Sequence, residues 1–321
     1  MGFRILGTGS AVPEKRLTND DLSTMVETSD EWITTRVGVK ERRIAVRETT
    51  ASLAAEAARR ALEMSGVGPE ELDLIVCATI TPDNVSPTAA GEVQQALGAS
   101  CPAFDVSSAC SGFIFALDTA AGFFARGKAK KALVIGAERI SKLLDWGDRS
   151  TCVIFGDGAG AAVLGWADED AYLVSELHTA GGKNVIQIPN YQGQSPFREI
   201  PEDERPPVIF MEGQETFKFA VNAMCGHIRS MAEKIGADPS ELDFVVPHQA
   251  NLRIIAMASK RLGIPMEKFL VNIQSYGNTA AASVPIALDE ANRAGRLHTG
   301  DLVAMCAFGG GLSSAGCILR W

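Results

Sequence analysis

The second half of this 321-residue chain repeats three segments of the first half at an offset of about 170 residues. The segment ELDLIV at 71–76 recurs as ELDFVV at 241–246, SACSGFIFALD at 108–118 recurs as TAAASVPIALD at 279–289, and residues 132–137 recur at 301–307. Duplicated halves bring equivalent junctions between strand and helix together around one pseudo-twofold axis. We therefore predict two related α/β halves, residues 1–170 and 171–321.

Short apolar runs alternate with longer segments of helical period, a pattern typical of α/β proteins with buried sheets. The apolar runs predict strands near 3–7, 73–79, 103–107, 132–137, 152–155, 160–165, 172–177, 243–247, 269–272, 302–307 and 315–320. The periodic segments predict helices near 50–65, 88–98, 111–126, 214–236, 251–262 and 280–294. The segment 179–208 contains no periodic run, so we expect an insertion or a mobile loop there.

Composition and charge exclude several classes of function. The formal net charge is -9 and no basic run is sustained, which disfavours a general nucleic-acid or anionic-membrane binder. Seven cysteines without a C-x-x-C pair or a Cys/His cluster at zinc spacing predict no metal site and a reducing cytoplasm. The sequence shows no secretory signal and no apolar run of membrane-span length, so we expect a soluble cytoplasmic protein without membrane insertion.

Cys110 follows an apolar strand and opens a helix. Backbone N–H groups and the positive end of a helix dipole lower a thiol pKa, so this position favours a thiolate nucleophile. A buried and inert cysteine is the alternative.

His248 ends a predicted strand, and Asn278 lies between a predicted strand and a helix. Sites in α/β folds commonly open at the carboxyl ends of strands, which makes His248 a candidate base or hydrogen-bond donor. A helix cap or a satisfied core histidine is the alternative for His248, and turn or N-cap chemistry is the alternative for Asn278. All three residues occupy echoed junctions, which favours one shared site.

As an ordered set, the motifs resemble those of β-ketoacyl-acyl-carrier-protein synthase III, the initiating condensing enzyme of type II fatty acid synthesis in the thiolase-like superfamily. The matching segments are GTG (7–9), TSDEWITTRVGVKERR (28–43), the cysteine block, GDGAGAAV (156–163), PHQAN (247–251), YGNTAAAS (276–283) and FGGG (308–311). The resemblance implies a five-layer αβαβα fold built from two halves, a homodimer, and acyl-CoA and malonyl-acyl carrier protein as substrates. No cofactor is implied besides the acyl-CoA substrate.

The resemblance also implies roles for the site residues. Cys110 would take the acyl group as a thioester, and His248 and Asn278 would act as N–H donors to the malonyl thioester carbonyl. The backbone N–H groups of Cys110 and Gly310 would form the oxyanion hole of the condensation step.

Substrate contacts follow from the same resemblance. Thr28, Trp32, Arg36 and Arg149 would bind coenzyme A, with a capping box at Thr28 and Glu31 placing the Trp32 and Arg36 planes around the adenine. The alternative is an exposed charged helix with one anchoring tryptophan.

The basic residues Lys218, Arg253, Lys260 and Arg261 would bind the acidic carrier protein. Ordinary complementation of a helix dipole is the alternative for them.

The primer pocket would include Val85, Ser86 and Phe308. In the family, the stretch matching residues 82–89 reaches across the dimer, and acetyl-preferring members can carry a bulky aromatic residue there. The small residues at 85 and 86 therefore predict primers longer than acetyl, or branched ones.

Three further functions fit parts of the pattern. A condensing or acyl-transfer relative in secondary metabolism would share the Cys, His and Asn set. A dinucleotide-binding oxidoreductase is suggested by Gly7-x-Gly9, but Val12 occupies the third glycine position of that fingerprint. A nonenzymatic thiolase-like scaffold is disfavoured by the complete constellation.

Overall fold

The structure is a computed structural model and describes residues 2–169, 171–182, 185–189, 196–197, 199 and 204–321. The strands are β1 (Gly2–Ala11), β2 (Arg16–Thr18), β3 (Glu41–Arg43), β4 (Leu74–Ala78), β5 (Ala103–Val106), β6 (Lys131–Arg139), β7 (Asp157–Ala167), β8 (Tyr172–Thr179), β9 (Ile186–Gln187), β10 (Phe210–Met211), β11 (Phe244–Pro247), β12 (Leu302–Gly309) and β13 (Ser313–Arg320). The helices are α1 (Asn19–Ser23), α2 (Asp30–Arg36), α3 (Thr50–Ser65), α4 (Ala89–Leu97), α5 (Gly112–Ala125), α6 (Gly213–Lys234), α7 (Leu252–Leu262), α8 (Ile273–Tyr276) and α9 (Ser283–Arg293). In the described part of the chain, no helix has the length and apolar character needed to span a membrane.

Two sheets and three helical layers make up the body of the protein. The first sheet has the order β1-β7-β6-β4-β5, and the second has the order β11-β12-β13-β8. The helices α3 and α4 cover the outer face of the first sheet, and α6 and α7 cover the outer face of the second. The helices α5 and α9 fill the space between the sheets within one continuous apolar cluster. The predicted five-layer αβαβα fold is confirmed.

The two sheets repeat one topology. In chain order, β1, β4, β6 and β7 of the first sheet correspond to β8, β11, β12 and β13 of the second, and they occupy the same places in the sheet order. A parallel bridge between Val245 and Phe269 stands where β4 pairs with β5 in the first sheet. The division of the chain at residue 170 stays a prediction.

The central helix of each half is hydrogen-bonded to a strand of the other half. Asp118 on α5 accepts a hydrogen bond from Ser175 Oγ on β8 at 2.5 Å. Its echoed counterpart on α9, Asp289, accepts from Thr8 Oγ1 at 2.8 Å and from Ser10 Oγ at 2.6 Å, both on β1. These reciprocal bonds fix the two halves against each other.

Both central helices begin at a strained turn. Ala109 and Ala280, at equivalent positions of the echoed segments, have φ of 44° and 46°, a region that residues with a Cβ rarely adopt. A short 3₁₀ turn follows each alanine, at Ala109–Ser111 and Ala280–Ala282, and the two turns contact each other. We call these turns the first and second elbows.

Gly7 and Gly9 have a packing role inside β1. A Cβ at Gly9 would lie 2.2 Å from the Ala57 carbonyl oxygen, and one at Gly7 would lie 2.7 Å from the Ala61 carbonyl oxygen. Both carbonyls belong to α3, so the glycines allow this helix to approach the strand closely. They lie within a strand and not in the phosphate-binding turn of a dinucleotide fold, which removes the support for that function.

The structure matches the predicted helices and all but two of the predicted strands. Residues 152–154 form turns instead of a strand, because the Asp148 carbonyl oxygen accepts from the N–H groups of Thr151 and Cys152, and Phe155 forms only a bridge to Asn278. Residues 269–272 form only the bridge at Phe269.

The reason for the second exception is the buried side chain of Gln249. It donates to the Leu270 carbonyl oxygen at 3.0 Å and accepts from the N–H groups of Asn272 and Ile273 at 3.1 and 3.2 Å. An amide side chain thus takes the place of a strand ladder.

The segment 179–208, predicted as an insertion or mobile loop, contributes β9, which pairs with β10. Residues 183–184, 190–195, 198 and 200–203 lie outside the described residues, so the prediction about mobility lies largely outside them as well.

Candidate active site

Cys110, His248 and Asn278 all line one cavity of about 1200 Å³. The cavity lies where the first elbow, the end of β11 and the second elbow meet. The loop from Gly309 to Gly311, which joins β12 to β13, forms another part of its wall. The three residues that the sequence singled out therefore share one chamber.

The first elbow holds Cys110 against the end of β12. A Cβ at Gly309 would lie 2.9 Å from both the backbone nitrogen and the Cβ of Cys110, and 3.2 Å from its Sγ. Only glycine leaves room for the cysteine here, because distances below 3 Å require the backbone to shift.

The protonation state of Cys110 differs from the sequence expectation. The residue is half-buried and faces the cavity, but burial, together with the carboxyl group of Glu138, raises the pKa of the thiol to about 12. The backbone contact that lowers the pKa does not overcome this burial. Cys110 is therefore a thiol in the free protein, and its ionisation requires a proton acceptor.

His248 is a neutral imidazole whose Nε2 has no hydrogen-bond partner within the described part of the chain. Its backbone N–H donates to the Cys306 carbonyl oxygen at 2.7 Å, and its Nδ1 lies 2.6 Å from Ser283 Oγ. The ring of Phe308 meets the imidazole edge-on, with 5.2 Å between the ring centroids. Burial lowers the pKa of His248 to about 3, so the ring is uncharged at neutral pH.

Asn278 has a fixed backbone and an oriented amide. Its N–H donates to the Ile154 carbonyl oxygen at 2.9 Å, and its carbonyl accepts from the Gly156 N–H at 3.0 Å. Its Oδ1 accepts from the Ala280 N–H at 2.8 Å, inside the second elbow. Among the described residues Nδ2 has no partner, which leaves this N–H₂ group available to a ligand in the cavity.

A serine cluster ties the Gly310 loop to the first elbow. Ser313 Oγ donates to the Gly310 carbonyl oxygen at 2.8 Å and also lies 2.8 Å from Ser111 Oγ. Ser111 Oγ in turn donates to the Ser108 carbonyl oxygen at 2.8 Å. The backbone N–H groups of Cys110 and Gly310 are thus held on two segments that share one hydrogen-bonded cluster.

The residues expected to bind coenzyme A lie outside the cavity lining. The capping box predicted at Thr28 is wrong by one residue, because Ser29 has the extended backbone of an N-cap and its Oγ accepts from the Trp32 N–H at 3.1 Å. The guanidinium of Arg149 lies 5.4 Å from the Trp32 ring centroid, whereas Arg36 is exposed at the end of α2. In the structure Arg149 packs over the Trp32 ring, and the placement of the adenine between Trp32 and Arg36 stays a prediction.

Thr28 is half-buried, and its Oγ1 has no hydrogen-bond partner among the described residues.

Four basic side chains are exposed on α6 and α7, at positions 218, 253, 260 and 261. Arg253 lies 5.9 Å from the ring centroid of Phe217, which itself lines the cavity. Lys218 pairs with Glu215 at 2.7 Å, Arg261 donates to Asn222 at 3.0 Å, and Lys260 lies in the last turn of α7. A positive surface therefore adjoins one side of the cavity.

The predicted primer residues occupy different surroundings. Phe308 is buried against His248, and Val85 lines the cavity although it is 97% exposed. Ser86 is exposed and is not part of the cavity lining.

Sequence reasoning missed Glu138 at the end of β6. Its buried carboxyl group accepts from Thr81 Oγ1 at 2.5 Å and from the Ile80 N–H at 3.2 Å, and both of these residues line the cavity. Burial raises the pKa of Glu138 to about 8. An acidic residue inside an apolar strand is the only signal in the sequence that points to it.

Comparison with known proteins decides the family. The family model described as 3-oxoacyl-[acyl-carrier-protein (ACP)] synthase III matches residues 104–181. A second model, described as the C-terminal part of the same synthase, matches residues 232–321. The chain is 48% identical over 322 aligned residues to a β-ketoacyl-[acyl-carrier-protein] synthase III of Clostridium acetobutylicum, covering 99% of this chain and 98% of that protein. This protein belongs to the β-ketoacyl-acyl-carrier-protein synthase III family. It is accordingly a condensing enzyme of the acyltransferase type.

Solved structures agree with this assignment. The crystal structure of 3-oxoacyl-[acyl-carrier-protein] synthase III from Aquifex aeolicus superposes on this chain with a TM-score of 0.93 at 48% identity, and the alignment covers 100% of each chain. The priming β-ketosynthase of the R1128 polyketide pathway gives the same TM-score at 37% identity, with 99% of this chain and 96% of that chain covered.

Proposed function

We propose that this protein condenses an acyl-CoA primer with malonyl-acyl carrier protein to give 3-ketoacyl-acyl carrier protein, the initiating step of fatty acid biosynthesis. The observation that carries the proposal is the shared cavity of Cys110, His248 and Asn278, beside the backbone N–H groups of the Gly310 loop. A nucleophile, a neutral imidazole and a free amide are the groups that such a two-stage reaction requires.

In the first stage Cys110 takes the acyl group. The thiol loses its proton to a base, its sulfur attacks the acyl-CoA carbonyl carbon, and the bond to the coenzyme A sulfur breaks. The departing thiolate takes the proton, so that free coenzyme A leaves. The Trp32 and Arg149 pair, with Arg36 and Thr28 nearby on α2 and before it, would hold the coenzyme.

In the second stage malonyl-acyl carrier protein loses carbon dioxide. N–H groups of His248 and Asn278 would donate to the thioester carbonyl, so that the electron pair left by decarboxylation is held as an enolate. The enolate carbon attacks the acyl-Cys110 carbonyl, the carbon–sulfur bond breaks, and the Cys110 thiolate regains a proton. The N–H groups of Cys110 and Gly310 would stabilise the intermediate oxyanion, each being worth about 3 to 4 kcal/mol of barrier.

The positive surface formed by Lys218, Arg253, Lys260 and Arg261 would receive the acidic carrier protein. Long-range attraction accelerates such encounters even when the whole protein is negative, because only the local field steers the final approach. The position of Arg253 against the cavity-lining Phe217 supports a docking site at the cavity entrance.

We also propose a homodimer in the cytoplasm. Strand β5 is an edge of the first sheet, all four of its residues are only partly buried, and Phe104 lies 6.1 Å from Phe123 on α5. A second copy would cover this edge and would bring the exposed Val85 and Ser86 to its partner's primer pocket. The seven free cysteines are consistent with a reducing compartment.

The decisive experiment is intact-mass spectrometry after exposure to a panel of acyl-CoA primers, for the wild type and Cys110→Ala. We expect an acyl adduct that requires Cys110 and that malonyl-acyl carrier protein discharges into a ketoacyl product. The adduct intensities would also rank the primers. If no adduct forms, Cys110 is not the nucleophile and the proposal fails.

A role in secondary metabolism is the second candidate, because the similarity to the R1128 priming ketosynthase covers nearly the whole chain. Both functions form an acyl-Cys110 adduct. They differ in the acceptor, so discharge by the carrier protein of fatty acid synthesis favours the first function. An adduct that only another acceptor discharges favours the second.

A further inference from the structure

Ser283 is a buried residue that the proposed chemistry has not used. It is 2% exposed, opens α9, and lies at the end of the second elbow. Its Oγ contacts two groups at once, namely His248 Nδ1 at 2.6 Å and the Ala280 carbonyl oxygen at 2.7 Å. Both distances are those of hydrogen bonds between buried groups.

The number of available protons decides which group donates in each of these two hydrogen bonds. A carbonyl oxygen only accepts, so the contact with Ala280 requires the hydroxyl proton of Ser283. The hydroxyl has no second proton, and the contact with His248 must therefore be made by a proton on Nδ1. The opposite arrangement, with the hydroxyl proton turned to Nδ1, would leave two oxygen lone pairs facing each other at 2.7 Å.

The ring protonation then follows from the charge state. A neutral imidazole carries one proton, so a proton on Nδ1 leaves a lone pair on Nε2. Within the described residues no group bonds to Nε2, and His248 lines the cavity that also contains Cys110. The edge-on ring of Phe308 packs against the imidazole and restricts its rotation.

We propose that Ser283 is a positioning residue that holds His248 in the Nδ1–H tautomer, so that Nε2 accepts the proton of the Cys110 thiol during acyl transfer. This inference rests on the proposed function, because it assigns the base of its first stage. The thiol proton passes to Nε2, the sulfur bonds to the acyl carbon, and the departing coenzyme A thiolate removes the proton from Nε2. The ring returns to its starting state.

The same hydroxyl serves the second stage. Donation by His248 to the malonyl thioester carbonyl requires a proton on Nε2, and Nδ1 must then accept. Ser283 can then turn its proton from Ala280 to Nδ1, and the lost contact with Ala280, which disfavours this arrangement in the free protein, is offset by the hydrogen bond that Nε2 donates to the substrate carbonyl. Alanine at this position offers Nδ1 no hydrogen-bond partner in either stage.

The Ser283→Ala variant should therefore separate the two stages. A buried N–H without a partner is rarer and more costly than a bare acceptor, so the variant should shift His248 to the Nε2–H tautomer. Proton transfer by a positioned base is worth about 10² to 10⁴ in rate. We expect acyl transfer to Cys110 to fall at least about tenfold, while malonyl decarboxylation stays close to the wild-type rate. Ser283→Thr keeps the hydroxyl and should restore acyl transfer.

The tautomer can be read directly from ¹⁵N-histidine two-bond correlation spectra of the free full-length protein. The chain has four histidines, and His248→Gln assigns the relevant signals. We expect a proton on Nδ1 in the wild type and in Ser283→Thr, and a proton on Nε2 in Ser283→Ala. A wild-type ring protonated on Nε2, or unchanged signals in Ser283→Ala, would overturn the inference, and neither result depends on any substrate.

Rates complete the test. Single-turnover acylation is followed by intact mass, and decarboxylation is followed by release of labelled carbon dioxide. Equal losses in both stages would indicate a merely structural role for Ser283 and would overturn the inference. A wild-type protein that forms no acyl-Cys110 would instead refute the proposed function, and the spectra would still decide the tautomer.

Discussion

The buried carboxyl group of Glu138 should make the stability of this protein fall as the pH rises. Burial raises its pKa from the ordinary 4.5 to about 8, so between these values the folded state holds a proton that the unfolded state has released. Folding then opposes ionisation, and the stability contribution is largest below pH 4.5, declines as the pH rises, and is constant above about 8. At about 1.4 kcal/mol per pH unit, the window of about 3.5 pH units amounts to roughly 5 kcal/mol.

Glu138→Gln removes the titrating group but keeps an acceptor for Thr81 Oγ1 and the Ile80 N–H. Urea unfolding of the wild type and the variant between pH 5 and 9 should give free energies whose difference moves in favour of the variant as the pH rises. The exposed Glu63→Gln serves as a control for general loss of charge. Parallel curves for wild type and Glu138→Gln would refute the reasoning.

The same substitution has a chemical consequence at the nucleophile. The Glu138 carboxylate raises the pKa of the Cys110 thiol. Above pH 8, where Glu138 is ionised, alkylation of Cys110 by iodoacetamide should be faster in Glu138→Gln than in the wild type. Equal rates would show that the two groups do not interact.

Five further substitutions test the packing and the surfaces. Asp289→Ala should lower the free energy of unfolding by about 3 to 5 kcal/mol, because it strips a buried carboxylate from two hydroxyl donors and a guanidinium. The equivalent residue Asp118 is half-buried and accepts from one hydroxyl, so Asp118→Ala should lower the free energy of unfolding by only about 1 to 3 kcal/mol. A lower urea midpoint for Asp118→Ala than for Asp289→Ala would contradict the packing argument. Gly309→Ala should slow acyl transfer at least about a hundredfold in single-turnover mass measurements, because the added methyl group displaces the nucleophile. Arg253→Glu should raise KM for malonyl-acyl carrier protein about tenfold at low salt and leave acylation by acyl-CoA unchanged; an equal effect on both would argue against docking there. Ser86→Phe should shift the preferred primer toward shorter chains in competition assays, and an unchanged profile would count against the proposed pocket.

The alternation of buried strands and periodic helices was sufficient to predict an α/β protein, and the echoes were sufficient to predict two related halves, whereas the five layers were implied by the family resemblance. The sequence was also sufficient to predict that Cys110, His248 and Asn278 share one site. It misplaced two strands, one where the Asp148 carbonyl oxygen closes a turn and one where a side chain replaces a backbone partner. Gln249 is the clearest case, since an amide at position 249 gives no sign that it will bond to residues 270–273.

The sequence also failed to predict the protonation state of the nucleophile and the contacts between distant segments. The position of Cys110 at a helix start suggested a thiolate, but the enclosing protein outweighs the helix dipole and raises the pKa of the thiol. Ser283 and Glu138 act through contacts with segments about 35 and 57 residues away along the chain, and no local pattern marks such residues. The pairing of Trp32 with Arg149 was missed for the same reason, because 117 positions separate the two residues and only the folded chain brings them together.

The two elbows explain why the duplicated halves have diverged in chemistry while keeping one backbone. The position equivalent to Cys110 is Ala281, which is 1% exposed and whose Cβ lies 3.5 Å from where a Cβ of Gly112 would be. Its carbonyl oxygen also lies 2.3 Å from the site of a Cβ on Gly136. Two thiols facing each other across the pseudo-twofold axis would compete for this space. The tight packing around Ala281 favours a small side chain there, so one elbow carries the nucleophile, and the segments that flank the other carry the amide of Asn278 and the hydroxyl of Ser283.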